Sequence, residues 1–370
     1  MRIALGVVAG TVGGPRSYGL GLVRGLAAAF PGDEWVVLTD RPGDFDGIPL
    51  ADCVRVPLPA KALRPAVERT LVPRLLRRLA PAVYHGTKHS VPPGLPFPVV
   101  ATIHDLAFHA LPRTFPVASR LWLRAEARAA VKRSAFLVAP SAHTKGDLVR
   151  FLRADPSRVV VVPNGVADDL LRPPAAGEAE RVRRAHGLPA RFVLCVGTIQ
   201  PRKNPGILLE AFAALHRSGG AEGVGLVFAG RRGWMAGPFL RALRRDGPGL
   251  GARLLEGVPD GDMAGLYAAA EVFASPSSYE GFGLSVAEAM AAGLPVVAGD
   301  SSSVPEVTGD AAVLVPPGDA RALEGALGRL LADPAERARL GAAARRRAAA
   351  FTWDAAARAL RPVYDRAVRA

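Results

Sequence analysis

The sequence predicts an α/β protein of two parallel-sheet domains facing a cleft, and three observations predict it. Its 370 residues exceed what one hydrophobic core usually serves and suit two domains. Short β-branched runs alternate with helical patterns almost throughout, as in parallel strands covered by helices. Those runs fall into two series separated by a polar, proline-containing stretch. A composition of 49% hydrophobic and 22% charged residues excludes a disordered or fibrous chain.

The first series reads RIALGVV, EWVVLTD, CVRVPL, AVYHGT, PVVATIHD, AFLVAPS and VVVVPNGV. The second reads RFVLCVGT, GLVFAG, ARLLEG, VFASPS, PVVAG and AVLVPP. Between them ADDLLRPPAAGEAERVRRAHGLPA, at about 166–190, is expected to be a linker dividing a first domain at 1–170 from a second at 171–351. After Val315 the pattern predicts three helices with breaks near Asp333-Pro334 and Phe351. The last, about 352–370, has no strand of its own to cover and is expected to cross back onto the first domain.

No apolar run approaches the roughly 20 residues that span a bilayer, and MRIALGVVAGTVGG breaks at glycines before a signal-peptide core forms. A cytoplasmic location is therefore expected. Cys53 and Cys195 lie far apart in apparent strands, which suits small core residues. The net charge of +14 is uneven: residues 1–172 hold 23 basic and 13 acidic side chains (+10), and residues 173–370 hold 24 and 20 (+4). Lys61, Arg64, Arg69, Arg74, Arg77 and Arg78 cluster against a single acid, Glu68. A stretch of this kind, 61–78, suits peripheral contact with anionic lipid at the inner membrane face or an anionic acceptor; the alternative is a solvated helix face. Nucleic acid is not expected, because aromatic and basic residues do not interleave and no reading motif is present.

Ligands of open parallel sheets bind beyond the carboxyl ends of the strands, so chemistry belongs in the strand-to-helix loops. After FVLCVGT comes IQPRKN, with Asn204 as a candidate N-cap and Pro205 at the first helical position. Arg202 and Lys203 thus stand at a helix start, where free amides favour anions, and two cations there suggest a diphosphate. Lys203 is the only lysine after residue 172, among five lysines and 42 arginines in the chain. Lysine offers a compact charge and arginine a planar fork, suited to differently placed oxygens.

The loop after VFASPS carries Glu280, Gly281, Phe282 and Gly283, and LSVAEAMAAG then reads as a helix that Gly293 ends in a left-handed cap. Amides from Phe282 to Ser285 make a second anion site at that helix start. Glu280 precedes them and Glu288 lies one turn in, so both can border one ligand at different distances. Carboxylates accept hydrogen bonds from vicinal diols, and a phosphate flanked by polyols describes a nucleotide sugar.

At this point the residues resemble a family. E-x7-E in EGFGLSVAEAMAAGLPVV, with VGTIQPRKN about 80 residues earlier, is similar to retaining glycosyltransferases of family 4, which have the GT-B fold of two Rossmann-like domains. GVVAGTVGGPRSY resembles the family's glycine loop, TIHDLAF its histidine loop and VPNGV the segment leading to the linker.

The resemblance implies that Arg202 and Lys203 bind the donor diphosphate, that the backbone at Gly281, Phe282, Gly283 and Leu284 contacts phosphates, that Glu288 holds the ribose and that Glu280 holds the transferred sugar. It implies that Gly13 and Gly14 let the first domain's loop approach the donor, that His104 meets the sugar, and that Val258 contacts the base through its backbone. Pro15-Arg16 departs from the family's aliphatic residue and suggests a more anionic acceptor. His85 and His89 are expected in a loop open to the cleft, where they could touch acceptor. Metal and cofactor are not required, since cations and helix amides would stabilise the departing nucleoside diphosphate. TIHDLAF and VGTIQPRKN most resemble members that move mannose from GDP-mannose to a glycan, glycolipid or other hydroxyl acceptor. A donor such as UDP-glucose, or a nucleotide-sugar 2-epimerase or hydrolase of the same architecture, is the alternative.

Overall fold

The computed structural model describes residues 1–8, 14–57 and 64–370, with backbone alone at 64 and 65. Gly13 and Lys61 lie outside the described residues, as does the side chain of Arg64. The chain divides into two compact units: Met1–Ala110, Val117–Gly165 and Phe351–Ala370 form the first, and Leu111–Pro116 with Val166–Ala350 the second.

The first unit holds β1 (Arg2–Val7), β2 (Glu34–Thr39), β3 (Asp52–Arg55), β4 (Val83–Gly86), β5 (Val99–Thr102), β6 (Phe136–Ala139) and β7 (Val159–Val161) in one sheet, ordered β3-β2-β1-β4-β5-β6-β7. Every pairing is parallel. This explains the near-continuous apolar runs, since helices cover both faces of such a sheet. β1 sits between β2 and β4, so the direction of winding reverses there.

The second unit repeats the plan with β8 (Arg191–Val196), β9 (Val224–Ala229), β10 (Ala252–Leu255), β11 (Val272–Ser275), β12 (Val296–Gly299) and β13 (Val313–Val315), ordered β10-β9-β8-β11-β12-β13. β8 lies between β9 and β11, with Val193 opposite Val272 and Leu194 opposite Phe273. The loops leaving β8 and β11 are therefore neighbours although about 80 residues separate them. The core beneath them contains Val193, Leu208, Phe212, Phe228, Ala274 and Val297.

The stretch expected to be a linker is part of this unit. It contains the helix Glu178–Ala185, whose Val182 is fully buried and meets Gly265 of the helix Met263–Ala269; a Cβ at Gly265 would lie 2.4 Å from Val182 Cγ2. The polar run hides Leu170, Val182 and Leu188 as buried apolar residues, and Arg181 and His186 both bind Asp262 (2.6 and 2.8 Å).

The final helix, Trp353–Arg369, returns to the first unit and packs on the helix Gly14–Ala29. Gly21 and Gly25 allow the approach: a Cβ at Gly25 would stand 2.5 Å from the Trp353 carbonyl oxygen. Below this contact His85 is fully buried, sharing hydrogen bonds with the Tyr364 hydroxyl through Nδ1 (2.7 Å) and the Thr102 hydroxyl through Nε2 (2.8 Å). Thr102 also meets the Tyr18 hydroxyl at 2.9 Å. His85 is thus not in an open loop as expected. It belongs to β4, opposite Leu5 and Val100, and its polar atoms are consumed by the fold.

Gly25→Ala should push the last helix off its seat, because the atom in the way is backbone and cannot swing aside. The expected loss is about 1–3 kcal/mol, read as a lower denaturant midpoint; an unchanged midpoint would show that the helix pair relaxes freely.

Candidate active site

The loop after β8 forms a tight turn at Pro201–Lys203, then Asn204 in left-handed backbone (φ 50°, ψ 42°), then the helix Pro205–Arg217 with Pro205 in its first turn. Asn204 holds the N-cap position but does not cap with its side chain, contrary to expectation. A capping side chain requires an extended backbone. In left-handed backbone its Nδ2 instead donates to the Pro276 carbonyl (3.1 Å) and the Ser278 hydroxyl (2.5 Å) in the loop after β11.

That second loop is tied to the first along its length. Ser278 N–H donates to the Arg202 carbonyl (2.8 Å), and Arg202 Nη1 donates to the Tyr279 carbonyl (2.8 Å) and to Glu280 Oε2 (3.2 Å). Lys203 Nζ binds Glu280 Oε1. The pairing of Glu280 with both cations is the main finding here, because the sequence suggested separate ligand oxygens for acid and bases. Glu280 is 5% exposed. Burial pushes its carboxyl up, but the charges of Lys203 and Arg202, with hydrogen bonds from Lys203 and Ser277, hold it down at about 2.

Gly281, Phe282 and Gly283 are buried, and Gly283 occupies the N-cap of the helix Leu284–Ala291 with φ 88°. The first bonds of that helix run from the Val286 and Ala287 amides to the Gly283 carbonyl, which leaves the Leu284 and Ser285 amides at its start. Gly293, at φ 79°, closes the other end as expected; its amide bonds to Met290 and that of Leu294 to Ala289.

Glu288 lies half-buried in the second turn of this helix and accepts a hydrogen bond from the Tyr267 hydroxyl at 2.7 Å. Tyr267 is completely buried. Burial raises the Glu288 carboxyl to about 7, against a downward pull from the Tyr267 bond and from Lys203. Lys203 therefore acts on both acids, while their surroundings separate them by protonation: one ionised at every ordinary pH, the other titrating near neutrality. Cys195, near the end of β8, feels the same field, but burial pushes its thiol up to about 12, which keeps it protonated.

Residues that the sequence did not single out complete the loop. The loop after β12 holds Ser301, Ser302 and Ser303; Ser301 donates to the Ser277 carbonyl (3.0 Å), Ser302 Oγ accepts the Glu280 N–H (2.7 Å), and Ser303 donates to the Glu280 carbonyl (3.0 Å). The available signal was positional: GDSSS follows the strand next to β11. Val258 lies half-buried in the loop after β10, at the sheet's edge two strands from β8.

In the first unit, His104 follows β5. Its Nε2 donates to the Thr87 carbonyl (2.8 Å) and its ring meets Tyr18 edge-on at 4.6 Å. Burial lowers its pKa, so it stands as a neutral imidazole with Nδ1 carrying the lone pair. Gly14 begins its helix exposed, with open space where a Cβ would be. Arg16 is held in a bidentate pair with Asp44 (2.7 and 2.8 Å). His89 packs near Trp122 and Phe108, and burial with Lys88 pushes it down to about 4. In the basic helix Arg64–Leu79, Arg69 pairs with Glu126 (2.8 Å) and Arg77 donates to the Gly94 carbonyl (3.2 Å), while Arg74 and Arg78 are exposed. Among the described residues no helix is long and apolar enough to cross a membrane.

Two Rossmann-like parallel sheets, of seven and six strands, define the GT-B class. The chain belongs to the family 4 glycosyltransferases: the family model described as Glycosyltransferase Family 4 matches residues 12–170, and that described as Glycosyl transferases group 1 matches residues 178–347. It is 30% identical over 280 residues to O-antigen chain mannosyltransferase B of Escherichia coli, covering 75% of this chain and 73% of that protein. It is 38% identical over 255 residues to a D-inositol 3-phosphate glycosyltransferase of Salinispora arenicola, covering 63% of this chain and 55% of that protein, so the match spans little more than half of that relative. Sucrose-phosphate synthase from Thermosynechococcus elongatus superposes with a TM-score of 0.76 over 98% of both chains at 25% identity. The protein is a glycosyltransferase.

The raised Glu288 carboxyl has a stability signature. Its folded value of about 7 exceeds the ordinary 4.5, so its contribution is present below about pH 4.5 and is lost as pH rises through 7. The stability of the wild type minus that of Glu288→Gln, from denaturant titrations, should fall across this window and level off above it. A difference independent of pH would contradict the assignment.

Proposed function

We propose that the chain is a retaining, metal-independent hexosyltransferase that moves mannose from GDP-mannose to a hydroxyl of a glycan, glycolipid or small-molecule acceptor. The observation that carries this reading is the meeting of Arg202, Lys203 and Glu280 where the second sheet reverses direction, with Glu288 held apart by Tyr267. Two cations after β8, with the Leu284 and Ser285 amides at the helix start that follows the neighbouring loop, suit a diphosphate leaving group. Glu288, once ionised above about pH 7, suits the ribose diol, and Glu280 suits the hydroxyls of the transferred sugar.

In this reading the bond from the anomeric carbon to the phosphate oxygen breaks, and its electron pair leaves with the nucleoside diphosphate. Arg202, Lys203 and the helix amides offset the developing charge. The acceptor oxygen bonds to the same face of the sugar, and its proton passes to the departing phosphate. By the resemblance, Glu280 and His104 would each act on the sugar, Gly14 would admit it and the Val258 backbone would meet the base. Mannose as the sugar is supported by the likeness to a relative named as an O-antigen mannosyltransferase. A lipid-borne acceptor at an anionic surface suits the exposed Arg74 and Arg78.

Release of nucleoside diphosphate from GDP-mannose and from UDP-glucose, with and without glycan and glycolipid acceptors, tests the reading. GDP release that depends on acceptor is expected; release indifferent to acceptor would point to a hydrolase or epimerase. Lys203→Ala, checked for folding by circular dichroism, should lose about a hundredfold or more in turnover, and full turnover would remove the phosphate role.

A further inference from the structure

Ser302 holds its backbone at φ 51°, left-handed territory that costs an L-residue free energy and that glycine enters without strain. It stands in the loop after β12, and its Oγ accepts the Glu280 N–H at 2.7 Å. The next residue, fully buried Ser303, donates to the carbonyl of the same Glu280 at 3.0 Å. Both polar groups of one peptide residue are thus gripped by a loop more than 20 positions away, while the carboxylate of that residue is gripped from the other side by Arg202 and Lys203. Glycine would hold the backbone of position 302 more comfortably but has no hydroxyl to offer. Strain of this kind persists where a specific contact requires it.

We propose that Ser302 is a positioning residue for sugar transfer: its hydroxyl fixes the Glu280 backbone and so sets the direction in which the Glu280 carboxylate meets the transferred sugar. This rests on the reading of Glu280 as the residue at the sugar. The loop after β12 then takes part in the reaction through Glu280 alone, which distinguishes it from a loop that merely completes the fold. A small displacement of a catalytic carboxylate costs rate, so the effect belongs in turnover.

The test is a double-mutant cycle on the rate of GDP release from GDP-mannose with acceptor, run at enzyme concentrations where residual rates are measurable. Ser302→Gly relieves the backbone strain and removes the hydroxyl, so its melting temperature should be no lower than that of Ser302→Ala, which keeps the strain. Ser302→Gly should lower kcat at least about tenfold in the wild-type background and by less than about twofold in a Glu280→Gln background. An equal loss in both backgrounds would overturn the proposal by showing that Ser302 does not act through Glu280. Unchanged kcat in Ser302→Gly with a slow Glu280→Gln would overturn it while leaving the role of Glu280 standing. Unchanged kcat in Glu280→Gln would overturn both.

Discussion

The second unit is organised around one buried ion pair, Glu280 with Lys203 and Arg202. A carboxylate 5% exposed is costly to ionise, and only the two cations, with the hydrogen bonds of the loop, hold it at a pKa of about 2. Neither side of the pair comes from a strand or an α-helix. Both hang from the carboxyl ends of β8 and β11, and the parallel register of those strands decides that they meet. The same pair explains how one site could serve a diphosphate and a sugar. In the proposed reading, a diphosphate on Arg202 and Lys203 would take the place of the Glu280 carboxylate, which would then be free to accept sugar hydroxyls.

The two acids divide their work through their surroundings. Glu280 is surrounded by positive charge and stays ionised, whereas Glu288 lies half-buried beside Tyr267 and titrates near 7. Lys203 binds Glu280 directly and lowers Glu288 more weakly than the Tyr267 hydrogen bond does. A chain that otherwise uses arginine has a lysine here, and the compact ammonium fits a position that two carboxyls must share.

Much of the fold was legible because parallel strands buried on both faces cannot hide their pattern. The apolar runs of both series became the strands of both sheets, and the last helix returned to the first unit, as its lack of a strand to cover implied. The helix Glu178–Ala185 was not legible, because Val182 is its one buried apolar residue and the partner of Arg181, Asp262, is remote in sequence. The burial of His85 was not legible, because Tyr364 and Thr102, which satisfy its ring inside β4, come from elsewhere in the chain. At the site, residue types and loop positions could be read, but not who partners whom. Asn204 turns from cap to brace because of its φ, and Ser301 to Ser303 gain meaning only from the order of β11 and β12, which no local pattern encodes.

Competition for Lys203 and Arg202 is measured most directly by titrating free GDP into the wild type and Glu280→Gln by calorimetry. Neutralising the carboxylate removes the rival anion, so the variant should bind GDP at least about tenfold more tightly, with the difference shrinking as salt is raised. Equal or weaker GDP binding by Glu280→Gln would contradict the exchange of carboxylate for diphosphate at these cations.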